Sequence, residues 1–297
     1  MSPNQPLDPE HDDHGGLHRD LPVLVGRRDM LRLMGGFSLA GLLAACGFGS
    51  GSETTVGSTT PGSTDATTTT APPGTGTTAP ATTESTAGPA ASPGAEIPDE
   101  TAGPFPADGS NGPNVLDDEG IVRPDITTSI GGSSGVAEGV PLAMNLSIVD
   151  AATGSALPGA VVYLWHCTAD GRYSIYEIEE ENYLRGVQVA DDAGRVAFTT
   201  VFPGCYSGRW PHAHFEVYSS LEEATAGAAA IKVSQLALPQ VDCEAVYADS
   251  RYENSLQNLA RLSLDGDGVF RDGWSDQLAT LSGSPSEGYT ASLLVRV

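Results

Sequence analysis

Residues 208–218 read GRWPHAHFEVY, and the fold follows from how this stretch alternates. Ala213, Phe215 and Val217 fall on one side of it, and His212, His214 and Glu216 on the other. Successive side chains of a β-strand point to opposite faces. The stretch is therefore a strand with one apolar face and two imidazoles side by side on the other. The chain has only 6 histidines. Two at this spacing, next to Arg209 and just after Pro211, point to metal ligation, with zinc or copper the default ions.

Neighbouring segments alternate in the same way. LAMNLSIV puts Leu142, Met144, Leu146 and Ile148 on one face, and GAVVYLWHC is a nearly continuous apolar and aromatic run. GRVAFTTVFPG and the final ASLLVRV behave alike, and ATGSALPG, ADGR, DDAGR and FPG supply turns between them. Helical patterns are short, near residues 221–230 and 252–262. The expected fold is all-β: a β-sandwich with short helical insertions in its loops, spanning residues 96–297.

The chain before residue 96 has a different character. Arg27 and Arg28 precede a moderately apolar run from Met30 to Ala45, too short for a comfortable membrane span. The order Arg-Arg-x-Met-Leu-Arg resembles a twin-arginine export signal. LAAC, ending at Cys46, resembles a bacterial lipobox whose cysteine is lipidated. Residues 1–46 are thus expected to be a lipoprotein signal, with an exported, surface-anchored product held to the membrane at Cys46. Residues 47–95 are Thr, Ser, Gly, Ala and Pro with almost no large apolar side chain, the composition of a disordered tether.

Charge excludes one class of partner. The 14 basic and 38 acidic residues give a net charge of -24. Residues 1–45 hold 4 basic and 6 acidic groups, so the chain without them carries 10 and 32, a net of -22. Such a surface repels phosphate backbones, and nucleic-acid binding is not expected.

The remaining metal ligands must come from elsewhere. His166 is the only other histidine after residue 96, and it sits beside Trp165 on a buried-looking strand, as a packing or supporting residue. Tyrosines stand next to turns: Tyr173 in ADGRYSIY and Tyr206 in FPGCYSGRW. A phenolate is a hard, anionic oxygen donor that suits a trivalent cation, and the cation lowers the phenol pKa so that it binds deprotonated.

With these residues in view, the chain from about residue 96 onward resembles the intradiol ring-cleavage dioxygenases, the catechol, hydroxyquinol and protocatechuate enzymes. The resemblance is carried, in order, by ETAGPFP, IVRPDIT, PGAVVYLWHCTADGRYSIY, LRGVQVADDAGRVAFTTVFPGCY, GRWPHAHFEVY and SQLALP. It implies a non-haem Fe(III) held by Tyr173, Tyr206, His212 and His214, an active-site arginine at Arg209 and an active-site glutamine at Gln235. It also implies a small aromatic diol and O2 as substrates, a muconate-type product, and Tyr206 as the phenolate displaced when substrate binds. The family's usual Arg-Pro-x-His-Ile-His appears here as RWPHAH, with Trp210 moved in and Ala213 in place of a bulky residue. No long helical N-terminal dimerisation region is present, as in the exported branch of the family.

Other residues carry blander expectations. With Cys46 lipidated, Cys167, Cys205 and Cys243 remain, and Cys205 with Cys243 is the favoured bridge, Cys167 being a small core residue. DGDG, residues 265–268, starts like a calcium loop, but position six is Phe270 and position twelve is Asp276, so it reads as a turn. Trp165 and Trp210 are candidates to line a substrate cleft, with a core position at least as fitting for Trp165. Two rival functions stand beside the dioxygenase. One is a non-catalytic β-sandwich lipoprotein that binds a sugar or a protein. The other is a cupin-like zinc or copper enzyme, which needs a third histidine downstream of His214, where the sequence has none.

Overall fold

A computed structural model describes residues 91–297. The expected signal, the lipidated Cys46 and residues 47–90 of the expected tether lie outside the described residues. The described residues form two four-stranded sheets with few helices, an all-β architecture. One sheet has the order β4-β1-β8-β7, from strands Pro141–Val149 (β1), Arg195–Val201 (β4), Thr280–Ser284 (β7) and Gly288–Arg296 (β8). The other has the order β3-β2-β5-β6, from Val161–Trp165 (β2), Arg185–Val189 (β3), His212–Tyr218 (β5) and Lys232–Ala237 (β6). All pairings are antiparallel except β1 with β8.

Alternation explains how the sheets stack. Leu142, Met144, Leu146 and Ile148 of β1 meet Val162 and Leu164 of β2 and Ala213, Phe215 and Val217 of β5 in one continuous core. The second sheet is covered on its other face too, by apolar packing around β2. There Val161, Tyr163 and Trp165 pack with Val187 against Ala107, Val115, Leu116 and Ile121 from the irregular segment before β1. A strand covered on both faces has no polar positions to alternate, which is why GAVVYLWHC reads as a continuous apolar run. The DDAGR turn between β3 and β4 needs its glycine: Gly194 has φ +72°, and a Cβ there would lie 2.4 Å from the Ile148 carbonyl oxygen.

Helices are short insertions, as expected, but differently bounded. Among the described residues the α-helices are Leu221–Thr225 (α1), Gln240–Val246 (α2) and Ser255–Leu259 (α3). α1 stops well before residue 230, and its first turn is capped by Ser220, whose side chain accepts the Glu223 N–H. α2 carries no sequence signal strong enough to mark it; Cys243 and Val246 alone face inward.

The chain reaches the sandwich through a strap across both sheets. Gly94 N–H donates to Ala151 O at 3.0 Å, Ile97 N–H to Arg296 O at 3.0 Å and Glu100 N–H to Val233 O at 2.8 Å. Lys232 on β6 closes over the strap, with Nζ 2.8 Å from Glu96 and 3.2 Å from Asp99. The strap thus ends beside the strand that carries Gln235.

Candidate metal centre

Strand register lines up a row of side chains across the second sheet. Arg185 of β3 pairs with Trp165 of β2, Trp165 with His214 of β5, and His214 with Gln235 of β6. His212 lies two residues from His214 on the same face. The Nε2 atoms of the two histidines are 3.1 Å apart.

The other nitrogens of the two rings explain this approach. His212 Nδ1 is 2.5 Å from the Trp210 carbonyl oxygen, which can only accept, so Nδ1 carries the proton and Nε2 presents a lone pair. His214 Nδ1 is buried without a hydrogen-bond partner, and the Thr101 backbone of the strap favours a proton on the ring. Burial holds both imidazoles well below the usual histidine range; for His212 the Arg209 cation adds to this, and for His214 its neighbour His212 and then Arg209 do. With a proton on each Nδ1, the two Nε2 lone pairs face each other, an arrangement that a cation between them would stabilise.

The two tyrosines complete the group. Tyr206 places its hydroxyl 3.3 Å from His212 Nε2, with ring centroids 5.7 Å apart. The Tyr173 ring is 6.0 Å from that of Tyr206 and 6.3 Å from that of His214. Loops far apart in sequence deliver them. Tyr173 follows the turn after β2, where Gly171 N–H donates to Thr168 O and Thr168 N–H to Arg172 O. Its backbone N–H donates to Glu177 at 3.0 Å. Arg185 grips the next residue, donating to Ser174 Oγ and Ser174 O at 3.1 Å each, and holds Phe105 O and Pro106 O as well. Phe105 then packs on Tyr173 with centroids 4.9 Å apart. The Tyr206 loop is held by α3: Cys205 N–H donates to Ser255 Oγ at 3.0 Å, and Asn258 Nδ2 to Cys205 O at 2.8 Å. Tyr173 is buried, while Tyr206 is half-buried.

Among the described residues, no group of three or more His, Cys, Asp or Glu side chains could hold a metal ion. A cation between His212 and His214 would therefore take its remaining protein donors from phenols. Two phenolates and two imidazoles form a hard, doubly anionic set, which fits a ferric ion and does not fit copper(I) or a structural zinc.

Arg209 is buried, and its guanidinium spans two partners. Nη2 donates to Gln235 Oε1 at 2.6 Å, and Nε lies 3.1 Å from Asp267 Oδ2. Gln235 in turn donates through Nε2 to Thr101 O at 2.8 Å. All six expected site residues, Tyr173, Tyr206, Arg209, His212, His214 and Gln235, thus belong to one contiguous group. Asp267 was not singled out by the sequence as anything but part of a turn.

Two expectations are corrected, and the choice left open for Trp165 falls to the core. Trp210 lines no cleft: it is buried in the core between the sheets, and Nε1 donates to Leu238 O at 2.9 Å. Trp165 is also fully buried, stacked between Tyr163 and His214. Cys205 and Cys243 form no bridge; with Cys167 they are buried free thiols, and burial raises the pKa of each. His166 stays outside the group, with Nδ1 on Cys167 O and Nε2 on Thr200 Oγ1, each at 2.7 Å.

A family model described as dioxygenase matches residues 120–234, a span that holds Tyr173, Tyr206, Arg209, His212 and His214. Two solved structures share the fold. An intradiol ring-cleavage dioxygenase from Tetranychus urticae is 24% identical, with a TM-score of 0.53 over 68% of this chain and 94% of its own. A second dioxygenase crystal structure is 22% identical, with a TM-score of 0.53 over 68% of this chain and 94% of its own. At these identities the likeness is one of fold.

Proposed function

We propose that the chain is an intradiol ring-cleavage dioxygenase, using a non-haem ferric ion held by Tyr173, Tyr206, His212 and His214. The substrate is a catechol-type diol, opened between its hydroxyls to a muconate-type product. Both atoms of O2 enter the product, so no external reductant is consumed. The observation that carries the reading is the convergence of two imidazole Nε2 atoms, 3.1 Å apart, with two phenol rings. The dioxygenase match and the fold of the Tetranychus urticae enzyme support it.

When bound, the ferric ion supplies a Lewis-acidic centre that takes up the diol and makes its ring reactive towards O2. The chain's own residues divide the remaining work. Tyr173, His212 and His214 are buried and keep their places. Tyr206 is half-buried, so its ring has room to swing out and its phenolate oxygen to accept a proton from the incoming diol. Arg209 presents a buried cation to negative charge developing on the ring, in surroundings where little water screens it. Gln235 holds that cation from the β6 side.

The substrate reading leans to uncharged catechols. Lys232, the only lysine after residue 96, is engaged by Glu96 and Asp99, and Arg209 by Asp267. A ring carboxylate would find neither cation unpaired. The protein works outside the cytoplasm, tethered at Cys46. Oxygen uptake by the iron-loaded protein with catechol, hydroxyquinol and protocatechuate tests the activity. Uptake with a ring-opened product supports it, and no uptake with any of the three refutes it.

A further inference from the structure

Asp267 lies 58 residues beyond Arg209, in the DGDG segment that the sequence marks only as a turn. Its carboxylate is saturated. Oδ2 accepts Arg209 Nε–H at 3.1 Å and Trp210 N–H at 2.7 Å. Oδ1 accepts Val269 N–H at 2.8 Å and Phe270 N–H at 3.2 Å. Both charged side chains have 0% exposure.

We propose that Asp267 is a positioning residue of the site, acting through Arg209. This rests on the proposed dioxygenase function, in which Arg209 faces the charge that develops on the ring. A buried ion pair is a poor way to gain stability, because desolvating each ion costs about as much as their attraction returns. What the pair provides is geometry. An arginine side chain has many rotamers to give up on ordering. Here Asp267 takes Nε and Gln235 takes Nη2, so the guanidinium plane is set before substrate arrives. The arginine N–H donors are thus already aimed before charge develops on the ring. An aimed donor that gains strength only as charge develops raises kcat rather than lowering KM.

The test is Asp267→Asn in the iron-loaded protein, alone and with Arg209→Leu. Asparagine drops the charge and keeps one oxygen for the Val269 and Phe270 N–H groups, while its amide nitrogen no longer accepts from Arg209 Nε or the Trp210 N–H. The expected result is a kcat lowered about 100-fold with KM within about threefold and the visible colour retained. Asp267→Asn should add less than about twofold to the loss already caused by Arg209→Leu. In the iron-free protein, Arg209→Leu alone should lower the thermal midpoint more than the double variant does, because it leaves the Asp267 charge buried and unpaired. An active wild type whose Asp267→Asn variant keeps its kcat, or whose two losses multiply, overturns the role of Asp267 alone. A wild type inactive on every catechol overturns the function, and this role with it. If Asp267→Asn does not fold, Asp267→Glu serves: a tenfold or greater loss of kcat with colour kept supports the role, and full activity overturns it.

Discussion

Trp165 lies flat on His214, with ring centroids 4.9 Å apart and planes within 3°. The contact follows from register, since the two residues are directly paired across β2 and β5. It fixes the plane of an imidazole proposed to ligate iron. The Trp165 Nε1–H is buried without a hydrogen-bonding partner among the described residues. Trp165→Phe therefore removes apolar contact but also an unsatisfied donor worth about 1–3 kcal/mol. Stability should change by less than about 1 kcal/mol, while iron affinity falls roughly tenfold. Chelator competition on the two proteins checks this; equal affinities would show that the stacking does not orient the ring.

Arg209→Leu should cut turnover by about 100-fold or more while leaving the iron colour intact, because Arg209 is not among the proposed ligands. Steady-state kinetics beside a visible spectrum reads both. Loss of colour in this variant would mean that the arginine holds the site together rather than serving the reaction.

Gly171 sits against Tyr206 with φ +86°, and a Cβ there would lie 3.1 Å from Tyr206 Cβ. Gly171→Ala forces a left-handed backbone conformation on alanine and presses on the tyrosine, costing about 1–2 kcal/mol. The visible band of the iron-loaded variant should shift as the Tyr206 ring moves. A variant of unchanged stability and unchanged colour would contradict the packing described for this loop.

His166 gives a pH signature separate from the centre. Burial lowers its pKa to about 4, while its Nδ1 donates to Cys167 O and its Nε2 accepts from Thr200. The unfolded chain takes up this proton near pH 6.5, and the folded chain resists it until about 4. The contribution is complete above pH 6.5 and is lost as pH falls from about 6.5 towards 4, to a total of about 3 kcal/mol. Urea unfolding of wild type and His166→Gln across this window should show a steeper loss of stability in the wild type than in the variant, where His212 and His214 alone still contribute. Parallel curves would place the histidine proton elsewhere.

What the sequence made legible follows from the range of each signal. The alternation in HAHFEVY shows two histidines on one face because strand geometry is local. β7 did not show, because TLSGS is an exposed edge with no apolar stripe to read, and β3 is a five-residue strand interrupted by Gly186. Asp267 was illegible as the partner of Arg209, because only the folded topology brings the loop after α3 back to β5. The cysteines misled for a related reason. Buried thiols gathered near the Tyr206 loop look, in a linear count, like a bridge waiting to form, whereas here they are packing residues.

The most direct measurement is the visible spectrum of the iron-loaded protein beside its Tyr173→Phe and Tyr206→Phe variants. The account predicts a reddish wild type, since phenolate bound to ferric iron absorbs visible light, and a band that weakens or shifts in each variant. A loaded wild type without colour, or a band indifferent to both substitutions, would contradict the proposed centre.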